Sequence, residues 1–266
     1  MRIGVLTSPR PTKFYLNLAE HHGIDHVEID IYTNYALAEN PESSEVREIA
    51  EIADSLGISL SIHTPYTLNF GDRIPMIRNA HIRLYDRILR LADVLNAKWV
   101  TTHIGHHIGY REGKRKALEI AIDTFRRFIP VLENIQIPAA IENLKPVPDC
   151  SELVYLCDNI PEIQYLLRSL DSDMIKLCLD VGHANLAEGA LRYIDEFSNK
   201  IVCVHAHDND GTEDLHKPPG TGNIDWKALI GKLKDIKFTG AIVIEVYEPN
   251  LSLEGIKYLR SLLLEW

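Results

Sequence analysis

The feature that most constrains this chain is a regular alternation of short β-branched segments with longer segments of helical periodicity. Apolar segments of this length are typical of parallel strands covered on both faces. Strict alternation of strand and helix favours right-handed βαβ units. Eight strands are predicted, namely Ile3–Thr7, His26–Ile31, Ser59–His63, Lys98–His103, Ala139–Glu142, Ile175–Asp180, Ile201–His207 and Ala241–Val246.

The segments between these strands predict amphipathic helices. In one of them Ser43 and Glu45 form a normal helix start, and Gly57 a normal end. In the longest, apolar residues recur every three or four positions on one face. The predicted helices are Ser43–Leu56, Pro75–Asn96, Glu112–Asn134, Ala190–Ser198, Asp225–Lys234 and Leu251–Leu264.

Chain length decides between a closed barrel and an open sheet. Eight strand–helix units in 266 residues match the ~250 residues typical of one (β/α)₈ barrel. An open sheet would more often carry a glycine-rich phosphate turn after its first strand, but residues 7–11 read Thr-Ser-Pro-Arg-Pro. We therefore predict an α/β fold in which residues 1–266 form a single (β/α)₈ (TIM) barrel domain.

Charge and composition exclude several classes of protein. The net charge of −10 argues against a broad basic surface for nucleic acid, although bound cations could supply local positive charge. Neither a signal peptide nor an apolar stretch of membrane-spanning length is recognised, so we expect a cytoplasmic protein without a membrane partner. Four cysteines without metal-ligand spacing predict free thiols, at Cys150, Cys157, Cys178 and Cys203.

Six consecutive predicted strands end in an imidazole or a carboxylate. In a (β/α)₈ barrel the carboxyl ends of the strands converge on one rim, so these side chains should meet there. Packed carboxylates resist burial unless a cation neutralises them, and imidazole with carboxylate suits Zn²⁺, Mn²⁺ or Fe²⁺. The sequence therefore predicts a divalent metal site built from His63, His103, Glu142, Asp180, His205 and Glu245.

Each of these residues alone has an ordinary structural explanation. A histidine at a strand end is more often hydrogen-bonded packing, Asp180 could cap the following helix, and the glutamates could form salt bridges. These explanations would have to hold independently on six adjacent strands, although unpaired charges are seldom fully buried.

The other histidines are weaker candidates for metal ligands. His207 shares a strand face with His205 and is an alternative ligand to it. His106 and His107 lie further into a loop and are weaker candidates. Surface positions are expected for His21, His22, His26 and His81.

The block VHAHDNDG…DLHKPPGTGNIDW, from Val204 to Trp226, resembles the xylose-isomerase-like TIM barrel superfamily. That superfamily includes sugar isomerases and epimerases, inosose-processing enzymes and endonuclease IV. The resemblance to its isomerases implies one divalent ion held by Glu142, Asp180, His205 and Glu245. It also implies that the two glutamates remove and return a substrate proton through an enediolate.

The chain also resembles endonuclease IV, which cleaves DNA at abasic sites with three zinc ions. The resemblance assigns His63, His103 and Glu142 to one ion, and the quartet to a second. A third ion would be held by His183, Asp214 and His216, and HTPYTLNF with Tyr66 matches that enzyme's HxxYxxN run. However, the residues after Glu142 read NLKPVP instead of a glycine-rich loop, and DVGH replaces DTCH.

Taken together, we expect an isomerase or epimerase that uses one to three divalent ions, Zn²⁺ or Mn²⁺, on a small polyhydroxylated substrate. Glu142 and Glu245 would be catalytic, and the substrate would contact Tyr66, His183, His207 and Lys217. An endonuclease IV-like phosphodiesterase with DNA as its partner is the alternative. A metal-dependent lyase or dehydratase and a non-catalytic metal-binding protein also stay open, as does homo-oligomerisation.

Overall fold

The computed structural model describes residues 1–109, 113–148 and 151–264. Eight parallel strands close into a barrel whose neighbours follow chain order, as the sequence predicted. Two further strands, β5 and β7, pair with each other outside the barrel. The strands are β1 Arg2–Leu6, β2 His26–Asp30, β3 Ser59–His63, β4 Val100–Thr102, β5 His106–Ile108, β6 Ala139–Glu142, β7 Leu153–Tyr155, β8 Ile175–Asp180, β9 Ile201–Ala206 and β10 Ala241–Ile244.

Helices cover the outside of the barrel. A helix forms in the described part of each of the six predicted helical segments, and Glu112 lies outside the described residues. The segment predicted as Glu112–Asn134 is divided by a 3-10 turn at Arg126–Phe128. Pro130 follows this turn and has no N–H to continue the hydrogen-bond ladder. The helices are α1 Thr12–His22, α2 Tyr35–Glu39, α3 Ser44–Ser55, α4 Pro75–Val94, α5 Lys114–Phe125, α6 Ile129–Ile135, α7 Ile160–Leu170, α8 Val181–Asn185, α9 Ala190–Phe197, α10 Trp226–Asp235 and α11 Pro249–Leu264.

Side-chain caps fix where several helices begin. The Ser43 hydroxyl accepts a hydrogen bond from the backbone N–H of Val46, which starts α3 as predicted. The Asp180 carboxylate accepts one from the backbone N–H of His183 and thereby starts α8 directly at the end of β8. Asp180 therefore is a helix cap and also belongs to the strand-end cluster described below.

The β5–β7 ribbon was not predicted from the sequence. Each strand has only three residues, which is too short for a period-two pattern to be recognised. The ribbon pairs His106 with Tyr155 in antiparallel register. It brings Tyr155 to the cavity at the carboxyl end of the barrel.

The barrel interior contains polar groups as well as a small apolar cluster. His26 is fully buried at the base, so the expectation that it lies at the surface is wrong. Its ring nitrogens lie 2.8 Å from the hydroxyls of Ser59 and Ser61, and its ring stacks on Trp99. Burial lowers the pKa of His26 to about 3, so its ring is neutral.

The cysteines in the described residues agree with the sequence prediction. Cys157, Cys178 and Cys203 are buried free thiols, and Cys150 lies outside the described residues. Within the described ranges no helix is both long enough and apolar enough to span a membrane.

Candidate metal centre

All six strand-end side chains predicted from the sequence come together at the carboxyl rim of the barrel. His63, Glu142 and Asp180 are the last residues of β3, β6 and β8. His205 lies one residue before the end of β9. His103 and Glu245 each follow directly after a strand, and all six side chains are at most slightly exposed.

The ligand atoms form four groups, in each of which all atoms lie within 4.8 Å of one another. One of these, His63 with His205 and Glu245, only combines members of the first two groups described next. The first is the quartet Glu142, Asp180, His205 and Glu245. The second shares Glu142 with the first and adds His63 and His103. The third lies beside them and contains His183, His207, Asp214 and His216. These groups correspond to the three ligand sets assigned by the resemblance, with His207 as an additional member.

Glu142 links the groups. Its Oε2 lies 3.1 Å from Nε2 of both His63 and His103, and its Oε1 lies 3.4 Å from Nδ1 of His183. Burial raises the pKa of Glu142, but the charges and hydrogen bonds of these histidines outweigh it and lower the pKa well below its ordinary value. Burial lowers the pKa of His63, but Glu142 raises it to about 9. Without a cation, imidazole protons therefore neutralise the carboxylate.

Several polar atoms of the cluster lack a partner. His205 Nδ1 lies 3.0 Å from Glu245 Oε2, yet neither atom has a hydrogen-bond partner among the described residues. Leaving a buried polar atom unpaired costs about 1–3 kcal/mol. The same holds for His103 Nδ1, His207 Nδ1 and Asp214 Oδ1. Nitrogen and carboxylate donors that converge without hydrogen bonds fit a divalent ion such as Zn²⁺ or Mn²⁺.

The third group is held by the loop between β9 and α10. Asp214 Oδ2 lies 3.3 Å from His183 Nε2 and 3.4 Å from His216 Nε2. His216 has a positive φ of 44°, which an L-residue adopts only when its surroundings require it. Its ring stacks on that of His207 at a centroid distance of 3.9 Å.

Asp208 was not found by sequence reasoning, although it organises this loop. Its carboxylate accepts hydrogen bonds from Trp226 Nε1 and from the backbone N–H groups of Asn209, Gly220 and Ile224. A buried acid inside the run VHAHDND, ahead of a Gly-Pro loop, was the available signal. Asp208 therefore holds the loop around residues 218–222 in place.

A cavity of about 390 Å³ opens above the ligand groups. Its wall includes Lys145, whose Nζ lies 2.9 Å from Asp214 Oδ2, and Ser8 and Asp30 on the opposite side. Its rim is aromatic, formed by Tyr32, Tyr66, Tyr155 and Tyr247. Pockets of this size with an apolar wall and a few convergent polar groups are typical of small-molecule sites.

Of the four predicted substrate contacts, two line the cavity and two do not. Tyr66 and His183 line the cavity. His207 is fully buried, with its Nε2 3.1 Å from Asp180 Oδ1, so it lies behind the ligands and not in the cavity wall. Lys217 does not line the cavity formed by the described residues, and its backbone pairs with Asp208. The lysine in the wall is Lys145.

Glu28 is a second residue that sequence reasoning missed. It lies in the middle of β2, is fully buried, and its Oε2 is 2.7 Å from His205 Nε2. Because Glu28 is not at a strand end, its position in the sequence does not predict that it meets the cluster. The signal was a carboxylate in the middle of the strand HVEID, between the apolar residues Val27 and Ile29.

Comparison with known proteins agrees with this geometry. The family described as xylose isomerase-like TIM barrel matches residues 16–262. An uncharacterised protein of Methanocaldococcus jannaschii is 25% identical over 75% of this chain and 68% of its own length. The D-psicose 3-epimerase of Ruminiclostridium cellulolyticum is 24% identical over 88% of this chain and 78% of its own. A probable endonuclease 4 of Thermoplasma volcanium is 24% identical over 83% and 79%.

Solved structures share the fold. A D-tagatose 3-epimerase-like protein superposes with a TM-score of 0.89 at 22% identity, covering 99% of this chain and 97% of that chain. The IolI protein, solved with a binding zinc atom, superposes with a TM-score of 0.78 at 19% identity, covering 100% and 97%.

Proposed function

The chain belongs to the xylose isomerase-like TIM barrel family, and on this premise we propose that it is a divalent-metal-dependent isomerase or epimerase of a small polyhydroxylated substrate. The carrying observation is that Glu142 and Glu245 both enter one buried four-ligand group at the floor of the cavity. Their strands, β6 and β10, are three places apart in the eight-stranded barrel, so the two carboxylates approach the cavity from different sides.

The two glutamates of the quartet are present as carboxylates. Burial raises the pKa of Glu245, but His205 outweighs it and holds the pKa well below its ordinary value. Both glutamates are therefore ionised and able to accept a proton from a substrate carbon. An ion held by Glu142, Asp180, His205 and Glu245 would polarise the neighbouring carbonyl or hydroxyl group. One glutamate removes the proton to give an enediolate, and the other, or the same one, returns it.

The cavity wall suits a neutral polyol. His183 lines the wall, and Asp180, Asp214 and Glu142 outweigh its burial and hold its pKa well above the ordinary value. The tyrosine rim offers ring faces to the C–H face of a sugar. Several relatives are named as sugar 3-epimerases, which agrees with this substrate class.

We predict that metal-loaded protein incubated with ketoses in D₂O incorporates deuterium next to the carbonyl group, which NMR would detect. Glu142→Gln and Glu245→Gln should each lower the exchange rate by at least about 10²-fold, because positioned acid–base groups contribute ~10²–10⁴-fold. Glu119→Gln, at a partly exposed glutamate on α5 far from the cavity lining, is the matched control and should retain parent activity. Exchange that persists in both site variants would contradict the assignment.

A second candidate is a metal-dependent phosphodiesterase. It is favoured by the complete second and third ligand groups, which a single-ion isomerase does not require. Three bound ions would stabilise the charge of a phosphodiester and activate water. Against it, Lys145 is the only lysine or arginine among the described residues of the cavity wall, and Asp214 already neutralises it.

Metal content and incision distinguish the two candidates. An isomerase should bind about one ion per chain tightly, and the phosphodiesterase about three. Cleavage of a duplex with one abasic site by the parent, and not by Glu245→Gln, would replace the isomerase proposal. If sugar products have instead lost water, the enediolate proceeds to elimination and the chain is a dehydratase.

A further inference from the structure

We propose that Glu28 is a positioning residue that determines which nitrogen of His205 faces the metal centre. This inference rests on the proposed function, because it concerns how a metal ligand is presented. Glu28 itself does not line the cavity, so its action on the site passes through His205.

The contacts of Glu28 use both of its carboxylate oxygens. Oε2 lies 2.7 Å from His205 Nε2. Oε1 accepts hydrogen bonds from Thr101 Oγ1 at 2.6 Å and from Trp99 Nε1 at 3.2 Å. Trp99 Nε1 can only donate, so Oε1 is an acceptor, and both carboxylate oxygens are engaged. A carboxylate held in this way only accepts hydrogen bonds.

This arrangement fixes the orientation of the imidazole. Because Glu28 can only accept, the hydrogen of His205 is held on Nε2. Nδ1 then points to the other carboxylates, 3.0 Å from Glu245, 3.7 Å from Glu142 and 4.0 Å from Asp180. Within the described residues Nδ1 has no hydrogen-bond partner. A carboxylate behind the imidazole thus directs a free lone pair at the position of a cation.

Packing alone gives no reason for a glutamate at this position. The neighbouring barrel interior is apolar and includes Leu6, Trp99 and Cys203. A buried carboxylate among such residues is costly even when it is hydrogen-bonded, and apolar replacements of buried ion pairs are often neutral or stabilising. The orientation that Glu28 imposes on the His205 imidazole explains why a carboxylate occupies this position.

The substitution Glu28→Gln tests the proposal with little change in volume. Trp99 and Thr101 both donate, so the amide oxygen must face them and the amide NH₂ must face His205. Nε2 then becomes the acceptor, and Nδ1 carries a hydrogen that points at the cation position. We expect Mn²⁺ affinity, measured by competition with a chelator, to fall by about 10- to 100-fold. Circular dichroism should show an intact fold.

Trp99→Phe is the matched control, because it removes a donor to the far oxygen of Glu28 and leaves the bond to His205 in place. It should bind Mn²⁺ as the parent does. An equal loss in Trp99→Phe, or no loss in Glu28→Gln, overturns the positioning role while the metal centre stands. Failure of the parent to bind any divalent ion overturns the metal centre as well.

A crystal structure of the Mn²⁺-loaded parent gives a test that does not depend on the variant folding. We expect coordination through Nδ1 of His205, with Nε2 still within hydrogen-bond distance of Glu28. Coordination through Nε2, or loss of the contact with Glu28, overturns the proposal.

Discussion

Buried polar residues of this barrel fall into two kinds. At the base, each ring nitrogen of His26 has a hydroxyl partner, so the hydrogen-bonding capacity of the ring is satisfied by the protein itself. At the rim, His205 and Glu245 face each other without a hydrogen bond among the described residues. The first arrangement is complete without a ligand. The second arrangement is compatible with a stable fold only if a positive charge lies between these side chains.

His26 predicts an acid sensitivity of the fold. Its folded-state pKa of about 3 is below the unfolded value near 6.5, so the unfolded chain binds the proton more readily. Its contribution is therefore complete above pH 6.5 and is lost as the pH falls towards 3. Between pH 7 and 5 the parent should lose about 2 kcal/mol more unfolding free energy than His26→Gln. Urea denaturation of the metal-free proteins measures this, and parallel pH curves would contradict it.

At the level of elements, the barrel strands were predictable because buried parallel strands are short, apolar and separated by amphipathic helices. All eight were located, and the six strand ends that carry an imidazole or a carboxylate were predicted to meet from their position alone. The β5–β7 ribbon was missed because three residues carry no detectable period. The limits of α5 and α6 were missed because Pro130 was read as part of a continuous helix.

The parts of the site that escaped prediction depend on tertiary contacts. Glu28 contacts His205, and Asp208 contacts the loop that carries Asp214 and His216. Glu28 and His205 are far apart in sequence, and no local sequence pattern predicts which histidine or loop such a carboxylate will contact. His26 was placed at the surface because it begins a strand, yet its side chain points into the barrel. The cavity wall uses Lys145 and not Lys217, since the bridge to Asp208 fixes the backbone of Lys217.

The β9–α10 loop supports a prediction of its own. A Cβ at Gly222 would collide with the backbone oxygen of Asn209 and the carboxylate of Asp208. Gly222→Ala should therefore displace the loop that carries Asp214 and His216, and lower the number of ions bound per chain or their affinity at the third group. The quartet lies on strands and should keep its ion.

Gly23→Ala is the control for general destabilisation. Gly23 ends α1 with a φ of 59°, and nothing lies near its Cβ position. Alanine there costs about 1–2 kcal/mol through backbone strain alone. It should lower the melting temperature without changing metal content. A Gly222→Ala protein with unchanged metal binding at every site would show that the loop tolerates the side chain.

On the scale of the whole molecule, the charge of the chain and the charge of the cavity wall favour the same kind of substrate. The chain carries a net charge of −10, and the cavity wall of the described residues offers one paired lysine. Such a molecule does not attract a polyanion over long range. A neutral polyol would enter without that penalty, and local positive charge would come from an ion at the floor.

Global stability should therefore depend on the ion. The ligand groups concentrate four carboxylates and six imidazoles in one region, and an ion that binds only the folded state adds RT ln(1 + [L]/Kd) to stability. At 100 times Kd this is about 2.7 kcal/mol, or a rise of roughly 5–10 °C in melting temperature for a chain of this size. Chelator treatment should reverse the rise, and Glu245→Gln should reduce it, while Glu119→Gln should not. A melting curve that is insensitive to Zn²⁺, Mn²⁺ and chelator alike would mean that the imidazole protons alone hold the carboxylates together. The unpartnered atoms of His205 and Glu245 would then need another explanation.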